Sequence, residues 1–379
     1  MQVIYSIGAK FAGGGIGTTA YHAVRGLYRH SALQRLLCGS FRPTEIPRGK
    51  IRALGLLSRV LRKLAVYDPS HQLSYVHNIL YDAWASRLLT PTEIFHVWGN
   101  HGLRSIRRAK AMGMVTVVQW ASSHPLHRAQ LLREEFARWG LTFRLPKAGL
   151  QRSLDEMAQT DYVLIPSGYV RETFRQRGVP EEKLIQIPFG VDAARFHPSG
   201  SSHSHPFRVL FVGTVTVAKG TIYLLEAWQR LGWRDAELWI AGRLSSEMRF
   251  LLTKYVQLPG LRLLGHRPDI AQIYREADVF AFPSIDEGSA LVTYEAMASG
   301  LPLVTTPNAG SIVRNEVEGI IVSIRDVDAL AAALERLRSD EWLRQKMGKA
   351  ARARAEKFPW VEHEHRLTLA LQAIIKKAV

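Results

Sequence analysis

A chain of 379 residues, 47% hydrophobic and 22% charged, has soluble globular composition and exceeds what one core usually supports, so two domains are expected. Its single cysteine, Cys38, excludes an internal disulfide framework, and no apolar run approaches the roughly 20 residues of a membrane span. Fifty Lys and Arg against 33 Asp and Glu leave a formal charge of +17, which favours anionic partners such as phosphorylated small molecules, anionic lipid or nucleic acid.

The start, MQVIYSIGAKFAGGG, enters a strand directly without the basic and apolar regions of a signal peptide, so a cytoplasmic location is expected. The glycine loop at Gly13 to Gly17 then opens a helix. Glycine there lets the backbone approach a phosphate, and a helix N-terminus favours negative charge. Thr18 breaks the dinucleotide fingerprint G-x-G-x-x-G, so a purely structural tight turn stands as the alternative. From Arg48 to Val66, Leu54, Leu57, Val60, Leu61 and Leu64 recur at helical spacing, with Arg52, Arg59, Arg62 and Lys63 on the rest of the wheel. This pattern suits a helix lying on an anionic membrane surface, or an ordinary amphipathic helix packed on its own domain. Strands are predicted at Ile94 to Gly99, Thr116 to Ala121 and Asp161 to Ser167, with helices between them. Ser199 to Pro206 (SGSSHSHP) is polar and apolar-poor and reads as the linker.

A second half restarts at the strand Phe207 to Gly213, followed by a short loop with Lys219-Gly220 at the start of the helix TIYLLEAWQRL. A lysine there opposes the helix dipole; a bound diphosphate would explain it, and a solvated surface lysine is the plainer alternative. Further strands are expected at Ala236 to Gly242, Leu261 to Gly265, Val279 to Ser284 and Pro302 to Thr306. Between the last two lies IDEGSALVTYEAMASG, with Gly288 and Ser289 as turn and N-cap and a helix over Ala290 to Ser299. Glu287 and Glu295 sit at the mouth and inside that helix. Carboxylates accept from sugar hydroxyls, while free amides at Ala290 to Val292 face phosphate, and together these describe a nucleotide-sugar site. A long helical tail follows from Asp326 to Lys357, and a last helix runs from Trp360 to Val379. The alternation of strand and helix predicts an α/β chain with a parallel sheet in each half.

The segment from Pro283 to Leu330, with IPSGYVRETFRQRGVPEEKLIQIPFGVDAARFHP, VGTVTVAKG and GHRPDIAQIYREADVFAFPS, closely resembles the retaining GT-B glycosyltransferases of family four, the glycosyl transferases group 1 class. The likeness is strong from about Tyr162 to Ala333 and thin before it. It implies two Rossmann-like domains with parallel sheets facing across a cleft: 1–198 on the acceptor side, a linker at 199–206, a donor domain at 207–358, and a helix at 359–379 crossing back to the first domain. Family glutamates separated by seven residues match Glu287, facing the transferred sugar, and Glu295, binding the donor ribose. The resemblance further implies that Lys219 contacts the diphosphate and that the amides of Gly288, Ser289, Ala290, Leu291 and Val292 contact sugar and β-phosphate. Gly213 and Thr214 form the phosphate loop, and the segment Gly265 to Arg267, with His266, flanks the base. Gly14 and Gly15 approach the donor phosphate or the acceptor, and His124 lies near the reacting sugar with His127 and His101 as rivals. Where the family commonly carries arginine after the loop glycine, this chain has Thr214, so diphosphate binding must lean on Lys219, amides or Arg243.

These residues imply no cofactor and no metal, the nucleotide-sugar being a substrate. The expected reaction is transfer of a hexose from a UDP- or GDP-sugar, with retention and no metal, to a hydroxyl of a saccharide or lipid-linked acceptor in surface polysaccharide or glycolipid assembly. Peripheral attachment to the inner membrane face would run through Arg48 to Val66. Competing readings are a GT-B sugar-nucleotide epimerase or phosphorylase, and a basic nucleic-acid-binding protein. The last rests on charge alone, without a recognisable binding motif.

Overall fold

The computed structural model describes residues 1–65, 68, 70–199 and 205–378. The chain divides into two compact units: Met1–Ala129 with Phe143–Phe189 and Trp360–Val379, and Gln130–Thr142 with Gly190–Pro359. The second unit thus begins before the expected linker, most of which (200–204) lies outside the described residues.

The first unit opens with β1 (Val3–Phe11), α1 (Ile16–Arg29), β2 (Leu33–Phe41), β3 (Ile51–Ala53), α2 (Leu56–Ala65) and α3 (Gln72–Arg87). It continues through β4 (Ile94–Trp98), α4 (Leu103–Ala111), β5 (Val115–Gln119), α5 (Pro125–Arg138), α6 (Lys147–Gln159), β6 (Tyr162–Ile165), α7 (Gly168–Arg175) and β7 (Leu184–Gln186). Its seven strands are ordered β3-β2-β1-β4-β5-β6-β7, and every pairing is parallel. Helices cover such a sheet on both faces, which is why β1 and β4 are almost continuously buried rather than alternating. Polar atoms in these strands pair with one another: the Tyr5 hydroxyl donates to Gln119 Oε1 at 3.0 Å and Trp98 Nε1 donates to the Tyr5 hydroxyl at 2.6 Å. Burial pushes His96 down to about 3, so it remains neutral against Gln119.

The second unit runs through β8 (Phe207–Val212), α8 (Thr221–Leu231), β9 (Ala236–Ala241), α9 (Ser246–Leu251), β10 (Leu261–Gly265), α10 (Ile270–Arg275) and β11 (Val279–Phe282). After these come α11 (Leu291–Ala298), β12 (Leu303–Thr305), β13 (Gly319–Ile321), α12 (Val327–Ser339) and α13 (Glu341–Ala355). Its six parallel strands are ordered β10-β9-β8-β11-β12-β13. The final helix, α14 (Trp360–Ala378), belongs to the first unit, where Leu367, Leu371 and Ile374 join the core built on β1, β2 and α1. The His22 ring stacks on Trp360 at 4.0 Å, and Arg25 Nε donates to Glu364 at 2.8 Å.

Three expectations need correction. The helix proposed for Arg48 to Val66 is only α2: Arg48–Lys50 is a single 3-10 turn and Arg52 lies in β3, opposite Leu37 of β2. Gly55, at φ 78°, turns the chain there and its amide bonds Gly39 O at 2.9 Å. Val66 lies outside the described residues. The long tail helix is two helices, because Asp340 leaves the helical conformation and its side chain caps Leu343 N. The helix after Glu287 begins at Leu291 with Ala290 as N-cap, while Ser289 turns its hydroxyl to Tyr294 at 3.1 Å.

Candidate active site

In an open parallel sheet, ligands bind beyond the carboxyl ends of strands where the strand order reverses. In the second unit that point lies between β8 and β11. Two loops leave it, Gly213 to Gly220 after β8 and Pro283 to Ala290 after β11, and they are tied together. The amides of Ile285 and Asp286 donate to Ala218 O at 2.9 and 3.1 Å. Gly220 is left-handed at φ 66°, and an added Cβ would sit 1.9 Å from Pro283 O, so only glycine lets the loops meet. Gly242 is similarly required, since its Cβ would fall 1.7 Å from Gly213 O.

Lys219 occupies the 3-10 turn Val217–Lys219 ahead of α8, not the first turn of the helix itself. Its ammonium bonds the Glu287 carboxylate and lies 5.3 Å from the centroid of the Phe282 ring. Both side chains of this ion pair are about a quarter exposed, 23% and 26%, so a ligand can reach them. The Glu287 backbone is fixed by its amide to Asn308 O at 3.0 Å, and Ala290 N donates to Ala309 O at 3.2 Å.

Ala290 provides no side-chain cap for α11, so the amides of Leu291 and Val292 begin a helix without intrahelical partners, the usual disposition of an anion site. One turn further, Glu295 accepts from the Tyr274 hydroxyl at 3.1 Å, and the same hydroxyl reaches Val292 O at 3.2 Å. Burial lifts the Glu295 carboxyl to about 7, against lowering by the Tyr274 hydrogen bond and by Arg195. Thr214 and Arg243 are exposed beside this loop; the Arg243 carbonyl receives Val215 N at 2.8 Å. Gly265 ends β10 at φ 64°, His266 is exposed, and Arg267 donates to Asp269 at 2.8 Å through Nε.

The second unit therefore gathers Lys219, Glu287, the α11 amides and Glu295 about one strand-end crevice. Sequence reasoning missed Asp286, which is buried beside Glu287, and Tyr274, Arg195 and Asn308. Asp286 stands next to a chosen residue and carried a signal; the other three reach the site only through tertiary contacts.

His124, His101, Gly14 and Gly15 belong to the first unit. Gly15 is the N-cap of α1 at φ 60°, with open space around it and around Gly14, whereas a Cβ on Gly17 would meet Lys10 O at 2.2 Å. Close backbone approach thus requires glycine at Gly17 and Gly13, the latter with a Cβ 2.8 Å from Lys10 O, while the space beside Gly14 and Gly15 is open. His124 Nδ1 accepts from Leu126 N at 3.2 Å at the start of α5, and its ring packs edge-on against Phe174. Burial, with Arg177 and His127, brings it down to about 4, so the neutral ring carries its proton on Nε2. His101 is buried against Tyr81 with Nδ1 unpartnered. The chain's Asp-x-Asp pair, Asp326 and Asp328, is structural: Asp326 caps α12 through Ala329 N and Asp328 pairs with Arg230.

Residues 206–340 match the glycosyl transferases group 1 family. The D-inositol 3-phosphate glycosyltransferase of Paenarthrobacter aurescens (strain TC1) is 32% identical over 238 residues, 57% of this chain and 58% of that protein. The chain thus spans somewhat over half the length of this curated relative. Among solved structures, sucrose-phosphate synthase from Thermosynechococcus elongatus covers 100% of both chains at 19% identity with a TM-score of 0.74. The Anabaena protein Alr3699/HepE in complex with UDP-glucose covers 98% of this chain and 100% of its own, at 16% identity and a TM-score of 0.70. These likenesses show the fold, which is GT-B.

Proposed function

We propose, for a GT-B chain whose residues 206–340 match the group 1 glycosyl transferases, that it moves a hexose from a UDP- or GDP-sugar to a hydroxyl of a saccharide or lipid-linked acceptor, with retention. The observation that carries this is the Lys219–Glu287 ion pair beside the uncapped α11 amides, with Glu295 one turn further into the helix. On donor binding Lys219 exchanges Glu287 for the diphosphate, and the Leu291 and Val292 amides share that charge. Glu287 is then released to accept from hydroxyls of the transferred sugar, while Glu295 accepts from the ribose. Gly213 and Thr214 border the phosphates, and Gly265 to Arg267 border the base. That a similar fold holds UDP-glucose in the Anabaena protein supports UDP as the first nucleotide to test.

The acceptor oxygen forms its bond to the anomeric carbon on the face from which the diphosphate leaves. The bond from that carbon to the diphosphate breaks with its electron pair going to the leaving oxygen, which takes the acceptor proton. Charge grows on the diphosphate as this happens, and Lys219 and the helix amides are placed to stabilise it there, where stabilisation accelerates the step. His124, neutral and with Nε2–H available, is assigned to a sugar hydroxyl near the reacting carbon.

Thermal unfolding against a panel of sugar nucleotides tests the reading. One donor at 100 times its dissociation constant adds about 2.7 kcal/mol of stability; no shift with any UDP- or GDP-hexose would remove it.

A further inference from the structure

Among the described residues, seven of the fifteen exposed large hydrophobic side chains fall on α2 and α3: Leu56, Leu57, Val60, Leu64, Val76, Ile79 and Leu80, each 37 to 69% exposed. Single exposed aliphatics are ordinary, but a cluster on two neighbouring elements is not. The two helices are held together by Ser58 Oγ and His77 Nε2 at 2.9 Å, both buried. The rest of the buried side of α3, with Tyr81 and Ala85, packs into the first-unit core, and each helix leaves an aliphatic stripe at i, i+3, i+4 spacing in solvent. The exposed charge on the two helices themselves is basic, and the one described acid of the connection between them, Asp68, is engaged by Ser70 and by the Leu73 amide at 2.7 Å. On α2, Arg59, Arg62 and Lys63 are exposed and no acid occurs. The only acid on α3, Asp82, is buried and bonded to the α4 amides of Arg104 and Ser105 and to Arg152. Exposed aliphatics beside the exposed cations of α2 fit the headgroup region of an anionic bilayer, where apolar burial and charge attraction add.

We propose that α2 and α3 together dock this protein on an anionic membrane, and that its acceptor is consequently lipid-linked. The proposal rests on the transferase reading only for that second clause. Its geometry comes from α3, whose Ser74, Tyr75 and Asn78 line a cavity of about 280 Å³ with Asn100, Trp120 and Ser153. One helix therefore carries an aliphatic stripe in solvent on one side and a polar, aromatic lining on the other. A lipid-linked saccharide has the same division.

Co-sedimentation with vesicles of phosphatidylglycerol and phosphatidylcholine tests the docking. The wild-type chain binds the anionic vesicles and not pure phosphatidylcholine. Ile79→Asn with Leu80→Asn, and separately Leu57→Asn with Val60→Asn, weaken binding by roughly tenfold or more through lost apolar insertion. Arg59→Gln, Arg62→Gln and Lys63→Gln each weaken it about fivefold and flatten its salt dependence. Trp342→Asn, an exposed aromatic of the second unit, leaves it unchanged. Because every altered side chain is exposed, unfolding curves should overlay that of the wild type. Binding indifferent to the α2 and α3 asparagines would overturn the proposal and reduce the effect to net charge. A concentration-dependent dimer abolished by those same variants, without vesicle binding, would overturn it in favour of self-association. Donor-induced thermal stabilisation, measured on the same variants, reports separately on the transferase reading.

Discussion

Glu295 is half-buried on α11 with the Tyr274 hydroxyl on its carboxylate, and its proton leaves at about 7 rather than in the usual carboxylate range. Because the folded state holds that proton more tightly than the unfolded chain, this group's contribution to stability declines as pH rises from the unfolded value through about 7. Donor binding runs the other way, since the ionised carboxylate is the better acceptor for ribose hydroxyls. Calorimetric titration with UDP should therefore show affinity rising between about pH 6 and 8, and the rise should be smaller in Glu295→Gln, where only the terminal phosphate of UDP still ionises in that range. Glu295→Ala should cost roughly 1.5–3 kcal/mol of nucleotide affinity; undiminished affinity would contradict the ribose role. Lys219→Ala should lower turnover more than it raises the acceptor KM, because the charge it faces grows as the diphosphate leaves. His124 divides in its own way, since Nδ1 already holds Leu126 N. His124→Asn keeps a capping acceptor and His124→Ala does not, so a capping role alone lowers Tm in the alanine variant only, whereas contact with sugar lowers turnover in both.

Helix termini separate the occupied sites from the available ones. The N-terminus of α4 follows β4 at the switch point of the first sheet, yet it cannot take a phosphate. Glu156 receives the amides of Asn100, Gly102 and Leu103 at 2.6, 3.0 and 3.1 Å, and Asp82 receives those of Arg104 and Ser105 at 2.7 and 2.9 Å. Glu156→Ala strands the amides of Asn100, Gly102 and Leu103 and should lower stability by about 1–3 kcal/mol without touching UDP affinity, a split that denaturant unfolding and calorimetry resolve. For α11 the N-terminal segment was legible, because Glu287, the small residues after it and the glycine at Gly300 carry their meaning locally. The double cap on α4 was not, because its carboxylates come from α3 and α6, distant in sequence. Short strands such as β3, β7 and β13, three residues each, escaped for a related reason: they exist through pairing with a neighbour and have too few residues to show a period. The Arg48 to Val66 segment misled through the same blindness, its periodicity continuing across a turn at Gly55 that only the pairing of β3 with β2 explains.

At the scale of the whole molecule, two parallel sheets each reverse strand order once, and the loops leaving the reversal of the second sheet carry Lys219 and Glu287. The α/β class and the acidic donor motif were readable because each rests on local pattern, whereas the assignment of Gln130–Thr142 to the second unit rests on contacts alone. One of these is the buried Glu135, which accepts from the Tyr223 hydroxyl at 2.6 Å and Arg325 Nε at 2.7 Å. The formal charge of +17 is a property of the same scale, and it should make donor association faster at low salt without changing which nucleotide is chosen. The most direct test of the central claim follows the wild-type chain with UDP-glucose and, in parallel, GDP-hexoses by time-resolved proton NMR, water serving as the acceptor. The account predicts release of the nucleoside diphosphate together with a sugar whose first-formed anomer has the donor's configuration. Release of the opposite anomer, or no release from any of these donors, would contradict it.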